Sequence, residues 1–110
     1  MRKLFAAVQV AILLSGPAIG GGYYDGNDLL AMCQKDDQTA CLAYIAGASD
    51  MVGARNFTDL RPPVTCEPEN ANLGQLKEIL VLWLEQNPSR RNVAATVNYM
   101  AAMYEAFPCE

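Results

Sequence analysis

Four cysteines behind an export-type leader constrain this fold more than any other feature of the chain. Cys33, Cys41, Cys66 and Cys109 stand in a sequence of 110 residues. An even cysteine count in a short exported protein points to disulfides rather than metal. No Cys-x-x-Cys pair occurs, which disfavours a zinc ribbon or a thioredoxin-like site. On count alone, all three pairings of the cysteines stay open.

The leader is read from charge and length. Arg2 and Lys3 make a positive start, and Leu4 to Leu14 follow as an uncharged, mostly apolar run. Pro17 ends it, and Ala18-Ile19-Gly20 places small residues at the −3 and −1 positions of a cleavage site. Spanning a bilayer takes roughly 20 apolar residues, and this run is about half that. Residues 1–20 therefore read as a cleavable signal peptide and 21–110 as the mature domain. No cysteine follows closely behind the apolar run, so no membrane anchor is expected after cleavage.

The chain holds 8 basic and 12 acidic residues, and losing Arg2 and Lys3 with the leader takes the net charge from −4 to −6. An acidic domain without a basic stripe is a poor nucleic-acid binder. It suits a basic protein partner, whose approach its charge would speed.

Periodicity predicts an all-α fold, a small four-helix domain with two disulfides. Gly20 to Gly26 reads as a flexible start. Asn27 is placed to cap a first helix over Asp28 to Gln34, with Leu29, Leu30 and Cys33 on one face. A second helix is expected from Thr39 to Ala54, with a stripe of Leu42, Ile45, Ser49 and Val52. Its Ala43, Ala46, Gly47 and Ala48 would let another helix approach closely. Arg55 to Asn70 is irregular, because Pro62, Pro63 and Pro68 forbid a regular helix.

The third helix is the clearest. Asn72 and Gln75 have capping-box spacing, and Leu73, Leu76, Ile79, Leu80 and Trp83 recur on one face. Pro88 stops it. Ser89 is placed to cap a fourth helix, with Val93, Val97, Met100, Ala101 and Tyr104 as its apolar face. Arg90 and Arg91 then fall at a helix start, against the macrodipole, which hints at a partner or an acidic neighbour beside plain exposure. The corner between helices one and two brings Cys33 beside Cys41. Antiparallel packing of helices three and four brings Cys66 beside Cys109. The predicted pairs are thus Cys33–Cys41 and Cys66–Cys109.

No catalytic constellation is evident. The chain has no histidine, so neither Ser49 nor Ser89 has the usual base to activate it. Asp36–Asp37 and Glu67/Glu69 lack calcium-loop spacing and read as solvated charge. No cofactor is expected, and no enzyme. Arg55, Phe57 and Arg61 put an aromatic and two arginines in the irregular segment, a mixture enriched at interfaces; the alternative is that Phe57 folds back on the core.

Several segments together resemble a known family. Asp25-Gly26-Asn27-Asp28-Leu29-Leu30 with Cys33 is similar to its opening motif. Cys41-Leu42-Ala43-Tyr44-Ile45-Ala46-Gly47, then Asp50, is similar to its C-x-G-Y-I-x-G-x-x-D signature. Cys66-Glu67-Pro68, then Gln75-Leu76, Trp83-Leu84 and Pro88, and the ending Ala106-Phe107-Pro108-Cys109, follow in the family's order. The chain thus resembles the Rap/Tai immunity proteins, named for type VI secretion resistance. Ala43 departs from the pattern, where the family usually has glycine. So does the second arginine of Arg90-Arg91, where histidine is usual. The resemblance makes Tyr44, Gly47 and Asp50 structural motif positions; Asp50 reads either as a buried hydrogen-bonding acid that fixes helix packing, which the family pattern favours, or as a simple surface charge. It implies a periplasmic, helical, disulfide-bonded protein, often a homodimer, that binds and blocks a secreted peptidoglycan-cleaving amidase. An alternative is a periplasmic protein-binding or acid-stress chaperone-like protein, which would expose apolar surface as carboxylates protonate. A self-assembling envelope component is a third reading.

Overall fold

The computed structural model describes residues 22–58, 63 and 65–110, so the predicted leader lies outside the described residues. Four α-helices form within them, with no strand: α1 (Gly26–Cys33), α2 (Thr39–Thr58), α3 (Leu73–Gln86) and α4 (Ala95–Ala106). A short 3-10 turn at Pro88–Arg90 joins α3 to α4. Each helix packs against the other three, and the α3–α4 pair is the most extensive. The disulfides are Cys33–Cys41 and Cys66–Cys109, the pairs predicted from the helix corners.

The start of α1 differs from expectation. Asp25, not Asn27, is the cap: its carboxylate accepts from the Asp28 backbone N–H at 2.8 Å, and Asp28 reciprocates toward the Asp25 N–H at 3.0 Å. A reciprocal carboxylate box satisfies orphan backbone donors at both ends of the first turn. Asn27 serves a longer-range purpose, donating its amide to Asn92 Oδ1 at 3.1 Å. The backbone from Tyr24 onward is also pinned rather than loose. Gly26 N–H donates to the Val93 carbonyl at 3.1 Å, Asn27 N–H to Arg91 at 3.2 Å, and Ala95 N–H to Tyr24 at 2.9 Å.

That docking explains why Gly26 is glycine. A Cβ there would lie 2.7 Å from Asn98 Nδ2 and 2.9 Å from the Arg91 Cα, the second of which is backbone. Gly26→Ala must therefore push α1 off the α3–α4 connection. The expected cost is about 1–3 kcal/mol, the usual range for overpacking. Urea denaturation of the purified variant measures it, and an unchanged midpoint would show that the docking yields freely.

The same docking overturns the predicted start of the fourth helix. Ser89 sits in the 3-10 turn and caps nothing; α4 begins only at Ala95. The carbonyls of Arg91 and Val93 are spent on α1, and Asn98 Nδ2 bonds the Val93 and Ala94 carbonyls at 3.2 and 3.1 Å. Helical backbone through Ser89–Ala94 would turn those carbonyls along the helix axis, away from their partners. Arg90 and Arg91 consequently do not oppose a helix dipole. Arg90 lies over the Trp83 ring at 5.1 Å, a cation–π distance.

The buried face of α4 shifts with its start. Ala95, Asn98, Tyr99, Ala102 and Met103 face the core, whereas Val93, Val97 and Tyr104 are 48%, 51% and 56% exposed. The α3 stripe holds better. Leu76, Leu80, Trp83 and Leu84 are buried, while Leu73 is exposed at the helix mouth. Asn72 caps α3, accepting from the Gln75 N–H at 2.8 Å. On α2 the core face is Cys41, Ile45, Ala48 and Val52, and the helix runs a turn beyond its predicted end, to Thr58.

Candidate functional site

The segment Thr65–Ala71 crosses between α2 and the end of α4, and one carboxylate holds it there. Glu67 Oε1 accepts from the Ser49 hydroxyl of α2 at 2.7 Å, and Oε2 accepts from the Tyr99 hydroxyl of α4 at 2.8 Å. Asn56 of α2 donates its side-chain amide to the Thr65 carbonyl at 3.0 Å. From the other side, Cys66 N–H donates to the Phe107 carbonyl at 2.9 Å, and the Cys66–Cys109 bond closes the same junction. One short stretch of backbone is thereby tied to both α2 and α4.

Charge and proton state suit a clamp more than a reaction centre. Tyr99 is fully buried. Its phenol is pushed well above the ordinary tyrosine range, by burial first and by the Glu67 carboxylate second. It therefore stays protonated and donates at neutral pH. Ser49 donates to a carboxylate, a far weaker base than the imidazole that activates a nucleophilic serine. Glu67 thus does more than the solvated charge expected of the Glu67/Glu69 pair. No group of metal-ligating side chains occurs among the described residues.

Beside the clamp is a cleft of about 510 Å³. Ser49, Val52, Gly53, Asn56, Thr65 and Glu67 are among its lining residues. It opens next to the last turns of α2, where the predicted partner residues begin. Phe57 is 90% exposed there, and Met51 is exposed one and a half turns earlier. Arg55 is half-buried in the last turns of α2 rather than in a loop. Arg61 lies outside the described residues. The structure thus brings Arg55 and Phe57 onto one helix end.

The family-motif positions fare differently. Tyr44 packs half-buried against the core, with the Tyr24 ring edge-on at 6.2 Å, and burial raises its phenol pKa. Gly47 is exposed, and a Cβ there would meet open space, so no neighbouring helix among the described residues uses the gap. Asp50 is exposed and is not the buried hydrogen-bonding acid that the resemblance implies. Each residue advances about 100° around a helix, so Asp50, two places from both Ala48 and Val52, points outward.

Sequence reasoning missed Glu67 as a clamp, and Tyr99 as a core residue. Tyr99 Oη and Glu67 are 32 residues apart in the chain. The one legible signal was Tyr99 itself, a tyrosine four residues after Ala95 and four before Met103 in an uncharged stretch.

Fold and site together define a class: a small helical domain, stapled by disulfides, whose polar groups hold its own elements together while apolar side chains face outward. The chain matches the sequence profile of the Rap1a immunity proteins over residues 25–109 and belongs to that family. No curated protein and no solved structure matches it significantly. Membership implies an immunity protein whose partner is a secreted toxin, a class that protects by binding and is generally not enzymatic. Both disulfides suit an exported protein, and no helix of the described residues is long and apolar enough to cross a membrane.

Proposed function

We propose that this protein is exported by a leader cleaved after Gly20 and works in the periplasm. There it binds and blocks a peptidoglycan-cleaving amidase delivered by type VI secretion. Membership of the immunity family supports the role, and the disulfides support the compartment. The partner-binding element is the end of α2 and the chain that follows it, with Arg55, Phe57 and Arg61 in contact with the toxin. One observation carries that assignment: Phe57, a large aromatic, stands 90% exposed at a helix end that is itself tied to the core. Holding an apolar ring in water is unfavourable, and covering it with a partner recovers that cost.

The test is capture followed by inhibition. Oxidised protein is used as bait in secreted and periplasmic extracts of the native producer, and the captured hydrolase is assayed on purified peptidoglycan. One stoichiometric amidase, inhibited on binding, is the expected result. Phe57→Ala should weaken that complex by at least about tenfold, the usual effect of an aromatic anchor. Unchanged affinity in Phe57→Ala and Arg61→Ala would remove the assignment of this element. Many weak clients, appearing mainly at acid pH, would replace the immunity role with the chaperone one. A homodimer forms part of the proposal, and sedimentation of the oxidised protein decides it.

A further inference from the structure

We infer that the Cys66–Cys109 bond is a site of thiol–disulfide exchange, opened by a dithiol while Cys33–Cys41 stays closed, and that opening it lowers affinity for the protein partner. The effect on the partner rests on the binding role proposed above; the exchange itself does not. The two bonds have the same chemistry and very different settings.

Exchange begins when a thiolate reaches one sulfur of the pair, so access decides which bond reacts. Cys41 is 0% exposed and Cys33 only 4%, and both belong to the hydrophobic core. Cys33 meets the surface only along a groove that it shares with Lys77, Val81 and Leu82. Gln38 also bonds the Cys33 carbonyl across that turn, at 3.3 Å. Cys66, by contrast, is exposed and lines the cleft beside α2, and Cys109 is half-buried. Among the disulfides of exported proteins the exposed ones are labile and regulatory, whereas structural ones resist reduction.

The dithiol alone balances the step. Its thiolate attacks Cys66 Sγ, on the more accessible residue of the pair. A mixed disulfide forms at Cys66, and Cys109 leaves as thiolate. The second thiol of the reagent then displaces Cys66. The reagent ends as a disulfide, and its two electrons and two protons end on Cys66 and Cys109. The freed thiols stay close together. Cys66 N–H still donates to the Phe107 carbonyl at 2.9 Å, and Thr65 still pairs with Pro108 in a backbone bridge. Re-closure is therefore local, which makes the bond a reversible switch rather than a site of damage. Opening it also reaches the partner-binding element. The segment that Cys66 anchors carries Glu67, bonded to Ser49 of α2, and the Thr65 carbonyl, bonded to Asn56. Asn56 is the residue before Phe57. Loosening the segment thus loosens the helix end that presents the exposed ring.

The experiment has an exchange arm and a partner arm, both on oxidised protein recovered from the periplasm of an expression host. In the exchange arm the protein meets dithiothreitol, samples are trapped over time with N-ethylmaleimide, and peptide mass spectrometry reads the label on each cysteine. Cys66 and Cys109 should take label at least about tenfold faster than Cys33 and Cys41. Circular dichroism should remain helical while only the first pair is open. In denaturing urea the two rates should converge, because burial no longer separates the bonds. With glutathione, a monothiol, the mixed disulfide trapped early should sit on Cys66. Equal rates in the native protein, a difference that survives in urea, or loss of helix as the first pair opens would overturn the exchange site. An early adduct on Cys109 would overturn Cys66 as the point of entry. In the partner arm, Cys66→Ser with Cys109→Ser holds the junction open and should lower affinity for the captured toxin about tenfold. Half-reduced wild-type protein should match that variant and recover on reoxidation. Unchanged affinity in either would overturn the effect on the partner. Equal exchange rates with toxin still captured and inhibited would sink the exchange site and leave the proposed function standing. Absence of any toxin would sink the proposed function, and the exchange arm would still decide the site.

Discussion

Replacing Cys66 and Cys109 by serine together is expected to lower the free energy of unfolding by about 4 kcal/mol, against about 2–3 kcal/mol for the Cys33/Cys41 pair. The two bonds close loops of very different length, with sequence separations of 43 and 8. A cross-link restricts the unfolded chain more when the loop is longer. Position adds to that difference. Cys33–Cys41 bridges a turn that is already held by hydrogen bonds from Gln38 to the Cys33 and Lys35 carbonyls. Cys66–Cys109 instead ties the crossing segment to the end of α4, where Cys66 N–H also donates to the Phe107 carbonyl. A domain of this size has only about 5–15 kcal/mol to lose, so the longer-loop variant should unfold at much lower urea. Urea denaturation of both serine pairs, under identical conditions, makes the comparison. Equal losses would mean that loop length does not govern here, and that native contacts at the Thr65–Pro108 bridge carry the junction instead. The loss should also reach partner binding, because the cleft and the end of α2 are framed by the segment that Cys66 anchors.

The parts of this fold that could be read from sequence are those set by large apolar side chains at short range. Leu76, Leu80, Trp83 and Leu84 repeat at three and four residues, and they bury as the spacing predicts. The disulfide pairs follow from which helix ends must meet. What escaped the reading was set by contacts distant in the chain. Ser89 follows Pro88 and has the local chemistry of a cap, yet the carbonyls just beyond it are claimed by Gly26 and Asn27, more than sixty residues away. Local propensity lost to tertiary docking there. The face of α4 was misread for a related reason. Periodicity weights bulk, so Val93, Val97 and Tyr104 outweighed Ala95, Asn98 and Ala102. The core needed small residues where α4 lies close to its neighbours, and it placed the polar Asn98 where its amide could hold the Val93 and Ala94 carbonyls. Of the candidate site, Phe57 was legible only as a candidate; the structure adds that its ring is exposed. The Glu67 clamp was not, because Glu67 and Glu69 in a proline-bearing segment look like solvent-facing charge until Ser49 and Tyr99 arrive from two helices.

Tyr99→Phe puts that clamp to the most direct test, because it removes one oxygen and keeps the ring. The ring fills the same volume in the core, so the apolar burial of a fully buried side chain is retained. What goes is a 2.8 Å hydrogen bond to a carboxylate. Bonds to charged acceptors are worth about 1.5–3 kcal/mol, and the lower half of that range is expected because Glu67 is only half-buried and keeps Ser49. The pH dependence is the sharper readout. Burial and the Glu67 carboxylate hold the folded Tyr99 phenol above its value in the unfolded chain. The stability this contributes is complete below about pH 10 and is lost as pH rises through the folded value. In that window the unfolded chain sheds the phenol proton while the folded protein keeps it. The wild-type protein should therefore lose up to about 1.4 kcal/mol per pH unit more steeply than Tyr99→Phe above pH 10. Tyr44, also raised by burial, is present in both proteins and cancels in the difference. Urea midpoints measured from pH 7 to 11 would show two curves separated at neutral pH and converging in alkali. Parallel curves would mean that neither burial nor Glu67 holds the proton on the Tyr99 hydroxyl, and the clamp would then have to rest on Ser49 and the disulfide alone.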